Sequence, residues 1–315
     1  MCGIEAVFGK NINQATIDVF LGAVDIGKSR GRDATGIVGV KSDGSSKVFK
    51  DTLPGDTFLA RNAKEIKAAL DGVNVGIIGH NRYATMGANT RPNAHPFKFD
   101  NIVGVHNGVI GRSELNNLPT KTSHEVDSAR LFLNIDEHGL DRSIKDVDGD
   151  WALVWYDKKE NKFFFYRNNM RPLWNRFSKD KKLFWVVSDP TLNNYYIDRE
   201  STESDAEWDA FKPLTLYSLT VGDELELKVE RTITEKEAPK WERSNGYYSG
   251  NNYSSGNWWE RASTNVIPFR PKPKKPIHST RTGAIQPINS TSRKFDAIED
   301  VPIFDLMELR EFDEH

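Results

Sequence analysis

The stretch Met1-Cys2-Gly3-Ile4-Glu5-Ala6-Val7-Phe8-Gly9 decides how the chain folds. Cys2 to Phe8 is a short, mainly apolar run closed by Gly9, which predicts a buried strand starting at the terminus itself. Working outward, Asn13 can cap a helix on which Ile17, Phe20, Leu21 and Val24 recur at helical spacing. Gly36 to Val40 and Lys47 to Lys50 predict a hairpin around Ser42-Asp43-Gly44. A charged helical stretch over Thr57–Leu70 precedes an apolar strand, Val75 to Ile78. A further strand, Ile102 to Val105, runs into His106-Asn107-Gly108, and Val126 to Ile135 has helical spacing. From Trp151 the pattern turns to strands: 151–156, 162–166, 173–177, 183–187, 214–219 and 224–229. Strands outnumber helices and the two types come mixed in order, which predicts an α+β layered fold.

The chain has 315 residues, a net charge of -2 and a single cysteine. That length holds a sizeable core in one or two domains. The charge balance gives no global attraction to nucleic acid or to anionic lipid. One cysteine makes no internal disulfide and no cysteine-based zinc site, which fits a reducing compartment. No stretch has the length and apolarity of a spanning helix, and the terminus lacks a signal-peptide pattern, so we expect a cytoplasmic protein without a membrane partner.

Composition divides the chain into three parts. Residues 1–232 read as folded, residues 233–294 as a low-complexity disordered linker, and residues 295–315 as an acidic, apolar tail peptide. The linker is rich in Gly, Ser and Asn with interspersed aromatics, then basic and proline-rich over Pro268–Pro276. Such a segment can stack on single-stranded nucleic acid, but it is more often a tether, and no nucleic-acid partner is expected. The tail carries Ile298, Val301, Ile303, Phe304, Leu306, Met307, Leu309 and Phe312, a composition suited to docking on another protein.

The chemistry centres on Cys2. Methionine is removed when a small residue follows it, and Cys2 would then own a thiol and a free α-amino group together. The reference pKa values, about 7.7–8.0 for the amine and about 8.5 for the thiol, allow the neutral amine to take the thiol proton near neutral pH. Taken alone, Cys2 reads as a small buried residue at the head of a strand. Four further segments change that reading: Arg30-Gly31-Arg32-Asp33-Ala34-Thr35-Gly36-Ile37, Gly79-His80-Asn81-Arg82-Tyr83-Ala84-Thr85-Met86-Gly87, His106-Asn107-Gly108-Val109-Ile110, and the start Met1-Cys2-Gly3-Ile4 itself.

In their order along the chain these segments resemble the motifs of the class II glutamine amidotransferases. Weaker similarity continues through Asp148–Leu153, Arg167–Leu173 and Val187-Ser188-Asp189, so the resemblance covers roughly residues 2 to 230. It implies an amino-terminal nucleophile hydrolase fold, a four-layer αββα sandwich of two antiparallel sheets faced by helices. It also implies that L-glutamine is hydrolysed to glutamate and ammonia through a γ-glutamyl thioester on Cys2, with no metal and no cofactor.

The resemblance assigns catalytic roles to four residues and substrate binding to three. The Asn107 side-chain amide and the Gly108 N–H would meet the oxyanion, where one donor contributes about 2.7–4 kcal/mol. Arg30 would steady the terminus, although Ser29 stands where the family often has His or Tyr. Arg82, assisted by Thr85, would fork onto the substrate carboxylate. Asp127 would meet the substrate ammonium. Ala129 replaces the family's usual glutamate here, and an alternative alignment puts Ser123 at the aspartate position; Ser123 could not pair an ammonium.

Each residue also has a structural reading. Arg82 can be a buried ion-pair arginine, Asp127 a helix-start charge, and Asn107-Gly108 a turn dipeptide. The histidines at 80, 106 and 124 lack close metal-ligand spacing. No Ser-Gly-Gly-x-Asp-Ser loop of the asparagine synthetase type occurs, so we expect a separate acceptor (synthase) protein to take the ammonia. The alternatives are a stand-alone γ-glutamyl amidase and a catalytically silent scaffold acting through its tail.

Overall fold

The computed structural model describes residues 1–10, 12–145, 147–200 and 207–233, without the side chains of residues 195 and 198–200. The expected tail peptide, and the linker beyond Ile233, lie outside the described residues.

The terminal run forms strand β1, Gly3–Gly9, buried along its whole length. Helix α1, Gln14–Gly27, follows, and the Asn13 side chain accepts the Thr16 N–H at its start. This satisfies one of the backbone donors that a helix leaves unpaired in its first turn. The hairpin is β2 (Ala34–Val40) and β3 (Ser46–Asp51), and Gly44 at its turn takes a φ of 79°. There a side chain would be strained and glycine is not.

The charged stretch before the next strand is two helices instead of one, α2 (Gly55–Arg61) and α3 (Ala63–Leu70). Asn62 breaks it with φ −123° and ψ 30°, and its side-chain amide donates to the Phe58 carbonyl. The break lets Phe58 and Leu59 as well as Ile66, Ala69 and Leu70 reach one apolar cluster.

Strand β4, Gly76–Arg82, runs further than apolar patterning predicts. It carries His80, Asn81 and Arg82 as strand residues because β1 and β2 flank it on both sides and pair its backbone. Next come β5 (Phe97–Lys98), β6 (Ile102–Asn107) and helix α4 (Asp127–Ile144), which Gly139 interrupts with a φ of 78°. Strands β7 (Ala152–Asp157), β8 (Lys162–Arg167), β9 (Trp174–Phe177) and β10 (Leu183–Val187) follow. Then come helix α5 (Pro190–Glu200) and strands β11 (Asp209–Ala210), β12 (Thr215–Val221) and β13 (Leu225–Thr232).

The strands form two sheets, ordered β11-β9-β10-β1-β4-β2-β3 and β13-β12-β8-β7-β6-β5, with antiparallel neighbours throughout. β1 is therefore interior, and its alternating side chains serve two clusters. Ile4, Ala6 and Phe8 meet Val103 and Val105 of β6 and Phe163 and Phe165 of β8, which joins the sheets. Val7 turns the other way, to Phe20, Leu21 and Val24 of α1. A third cluster packs Leu131, Phe132 and Ile135 of α4 on Leu153, Trp155 and Phe164. Each such buried side chain contributes roughly 1.5–3 kcal/mol relative to exposure, so β1 is strongly anchored.

Candidate active site

The register Gly3↔Asn81 between β1 and β4 sets Cys2 beside the end of β4, where Arg82 and Tyr83 follow. The Tyr83 N–H points at Cys2 Sγ at 3.2 Å, and the thiol lies 3.5 Å from the Tyr83 carbonyl. Cys2 is half-buried and Met1, still attached, is exposed. Burial pushes the Cys2 thiol up, while the Tyr83 N–H, the terminal ammonium and the charges of Arg82 and Arg171 pull it down. The Met1 ammonium is lowered, mainly by burial.

The Cys2 carbonyl is gripped from two sides, by Arg30 Nε at 2.9 Å and by Asn107 Nδ2 at 3.0 Å. Asn107 ends β6, and its Nδ2 also donates to Ser188 Oγ at 2.8 Å. Its Oδ1 faces His80 Nε2 at 3.0 Å, a link between the two sheets. Burial drives His80 down to about 3, so the ring is neutral and serves as a spacer. His106 is likewise lowered, mainly by burial, and bonds Ser128 Oγ and the Asp150 carbonyl. Next in sequence, Gly108 passes so close to Asp150 that a Cβ would stand 1.8 Å from the Asp150 carbonyl oxygen. Any side chain at 108 would displace that backbone.

Arg82 is only 4% exposed and donates to the carbonyls of Met86 (2.7 Å) and Ala88 (3.4 Å), which fastens the loop after β4. Those bonds use two of its five N–H groups. Burial lowers Arg82, opposed by the charges of Cys2, Asp33 and Asp127, which places it in their common field. Thr85 lies exposed in the loop that Arg82 fastens. Asp127 opens α4, is 4% exposed, and accepts the N–H groups of Ile110 and Ser128, both at 2.9 Å. Ser123 is exposed, and Glu125 accepts from Ala88 N–H and Asn93 Nδ2. Thus Cys2, Arg30, Asn107 and Gly108 lie together, and Arg82 and Asp127 share their electrostatic neighbourhood. Among the described residues, no three His, Cys, Asp or Glu side chains are grouped to hold a metal ion.

Sequence reasoning missed several neighbours. Ser188 and Asp189 directly follow β10, which pairs with β1, and their only signal was a weak similarity over 187–189. Arg171, whose charge bears on Cys2, pairs with Asp150 at 2.5 Å. Glu5, in an otherwise apolar strand, is 1% exposed with neither carboxyl oxygen hydrogen-bonded among the described residues. Burial raises it to about 8. The mismatch of an acid within that run was the available signal.

Two antiparallel sheets, with a cysteine leading an interior strand and its backbone clamped, give this chain the fold of amino-terminal-nucleophile-type amidotransferases. A solved glutamine phosphoribosylpyrophosphate amidotransferase from B. subtilis, complexed with ADP and GMP, shares it. The TM-score is 0.55 at 17% identity, over 72% of this chain and 49% of that one. By sequence the chain is similar to class II glutamine amidotransferases, which are enzymes. It is 28% identical over 249 residues to a glutamine–fructose-6-phosphate aminotransferase (isomerizing) of Bartonella henselae, covering 74% of this chain and 39% of that protein. It is 31% identical over 154 residues to an amidophosphoribosyltransferase of Pseudomonas aeruginosa, covering 44% and 28%. The chain thus matches well under half the length of either relative. No family model matches it. No described helix is long and apolar enough to cross a membrane.

Proposed function

We propose that the chain hydrolyses L-glutamine to glutamate and ammonia, with Cys2 as nucleophile once Met1 is removed. The observation that carries this reading is the double grip of Arg30 and Asn107 on the Cys2 carbonyl, which leaves the thiol beside the Tyr83 N–H. A nucleophile held by its backbone has its sulfur free to react, and orientation of this kind removes much of the entropic part of the barrier.

In the proposed cycle, the freed α-amino nitrogen of Cys2 takes the thiol proton and the sulfur bonds to the side-chain amide carbon of glutamine. Negative charge collects on the former carbonyl oxygen, met by the Gly108 N–H and by Asn107, which trades its bond to the Cys2 carbonyl for one to the oxyanion. The carbon–nitrogen bond then breaks as the α-ammonium returns its proton to the departing nitrogen, and ammonia leaves. Water attacks the γ-glutamyl thioester, and glutamate departs as the thiol is restored. Arg82 with Thr85 holds the substrate carboxylate and Asp127 its ammonium. Asp127 is favoured over Ser123 because it is buried within reach of the Arg82 charge, whereas Ser123 is exposed.

We further take residues 1–232 as the glutaminase domain, in the four-layer arrangement that the three apolar clusters suggest. The ammonia passes to a separate acceptor enzyme, with the 295–315 segment as the recruiting peptide. The named relatives are a glutamine–fructose-6-phosphate aminotransferase and an amidophosphoribosyltransferase, so amidotransferases similar to this chain differ in their acceptors.

Replacing Arg82 with lysine tests the substrate assignment. A lysine ammonium cannot fork onto a carboxylate while holding two loop carbonyls. The KM for glutamine should rise by roughly ten- to a hundredfold, the value of one or two charge-assisted bonds, with a smaller change in kcat. An unchanged KM in steady-state glutaminase assays removes Arg82 from the carboxylate site.

A further inference from the structure

Two successive residues just after β10 stand behind the two donors that hold Cys2. Ser188 Oγ accepts from Asn107 Nδ2 at 2.8 Å, and Asp189 Oδ2 accepts from Arg30 Nη1 at 3.2 Å. Ser188 also binds β1 directly: its hydroxyl accepts the Ile4 N–H at 3.0 Å and its own N–H donates to the Ile4 carbonyl at 2.9 Å. Ser188 is buried, so neither it nor its partners exchange readily with water. The Asn107 amide can also rotate about its own side chain, and Arg30 is long, so neither donor fixes its own aim. His80 holds the Asn107 Oδ1, and the Ser188-Asp189 pair adds a contact behind the Asn107 Nδ2 and another behind Arg30, both from one turn of backbone between β10 and α5.

We infer that Ser188 and Asp189 are positioning residues for the Cys2 nucleophile, acting through Asn107 and Arg30 respectively to set the Cys2 carbonyl and hence the direction of the thiol. Neither touches glutamine in this scheme. The inference rests on the proposed role of Cys2, so the test must separate the two.

Asp189 has a second duty, because its Oδ1 accepts the Thr191 N–H at the start of α5. Asp189→Ser keeps a capping side chain there but is too short to reach Arg30. In the full chain with Met1 removed, Asp189→Ser should lower kcat about tenfold, the value of one charge-assisted bond, with the KM for glutamine within about twofold. In an Arg30→Ala background it should lower kcat no further, since the contact it serves is already gone. Asp189→Glu should restore part of the loss. Ser188→Ala should lower kcat similarly and additively with Asp189→Ser, since it acts through the other donor. If Ser188→Ala does not fold, the Asp189 series decides alone. Unchanged kcat in Asp189→Ser, or an equal further loss in the Arg30→Ala background, overturns the inference. A wild-type chain without glutaminase activity or Cys2 labelling overturns the nucleophile itself instead.

Discussion

Cys2→Ala should reduce glutamine hydrolysis by several orders of magnitude and leave the folded state almost unchanged. The thiol is the bond-forming atom in the proposed cycle, and Cys2 is the single cysteine of the chain, so alanine leaves no thiol to replace it. Among the described residues the hydrogen bonds of Sγ go to the Tyr83 backbone, whereas the holds on residue 2 from Arg30 and Asn107 go to its carbonyl, which alanine keeps. We therefore expect the unfolding free energy to move by no more than about 1 kcal/mol. Glutamate release and urea denaturation on the same preparation check both halves. Residual turnover near wild type would transfer the chemistry elsewhere.

Glu5→Gln should stabilise the protein increasingly as pH rises. Glu5 is buried with both oxygens unbonded, and Asn81 Oδ1 beside it is likewise without a partner. The two share a pocket, since a Cβ on Gly27 would meet Asn81 Oδ1 at 2.3 Å and Glu5 Oε1 at 2.7 Å. Burial lifts the carboxyl to about 8, with the Arg30 charge opposing. The native state therefore holds a proton that the unfolded chain, with an ordinary glutamate near 4.3, releases earlier.

Between those values the native state binds more protons than the unfolded one, so the Glu5 contribution falls as pH rises. It is fully present below about pH 4 and lost once pH passes about 8. Glutamine is neutral throughout, so the variant lacks this slope. Its advantage over wild type should grow by a few kcal/mol between pH 5 and pH 8, at about 1.4 kcal/mol per pKa unit. Denaturant unfolding of both proteins at the two pH values cancels every other titrating group. An equal difference at both would show that Glu5 is ionised in the native state.

Much of this architecture was legible in the residues. The apolar run of β1, the Asn13 cap and the hairpin at Gly44 each depend on neighbours in sequence, and each formed as local chemistry requires. The extension of β4 through Arg82 did not follow from patterning. His80, Asn81 and Arg82 are strand residues because β1 and β2 pair with them, a nonlocal cause. Helix α5 was missed although Asp189-Pro190 is a recognisable start, a capping side chain followed by a proline whose absent N–H costs nothing in the first turn.

At the site, the motifs supplied the residue set while the structure supplied its wiring. That Asn107 reaches both the Cys2 carbonyl and Ser188 depends on two sheets meeting, which no spacing encodes. The unbonded state of Glu5 is equally invisible in sequence, because a buried acid usually finds a partner.

In the proposed cycle the nitrogen taking the proton and the sulfur making the bond belong to one residue. Intact-protein mass spectrometry after treatment with a γ-electrophilic glutamine analogue tests it most directly. The account predicts that fully active protein has lost the mass of Met1 and gains one adduct, on Cys2, with activity falling in step. Full activity in protein that still carries Met1 would contradict it.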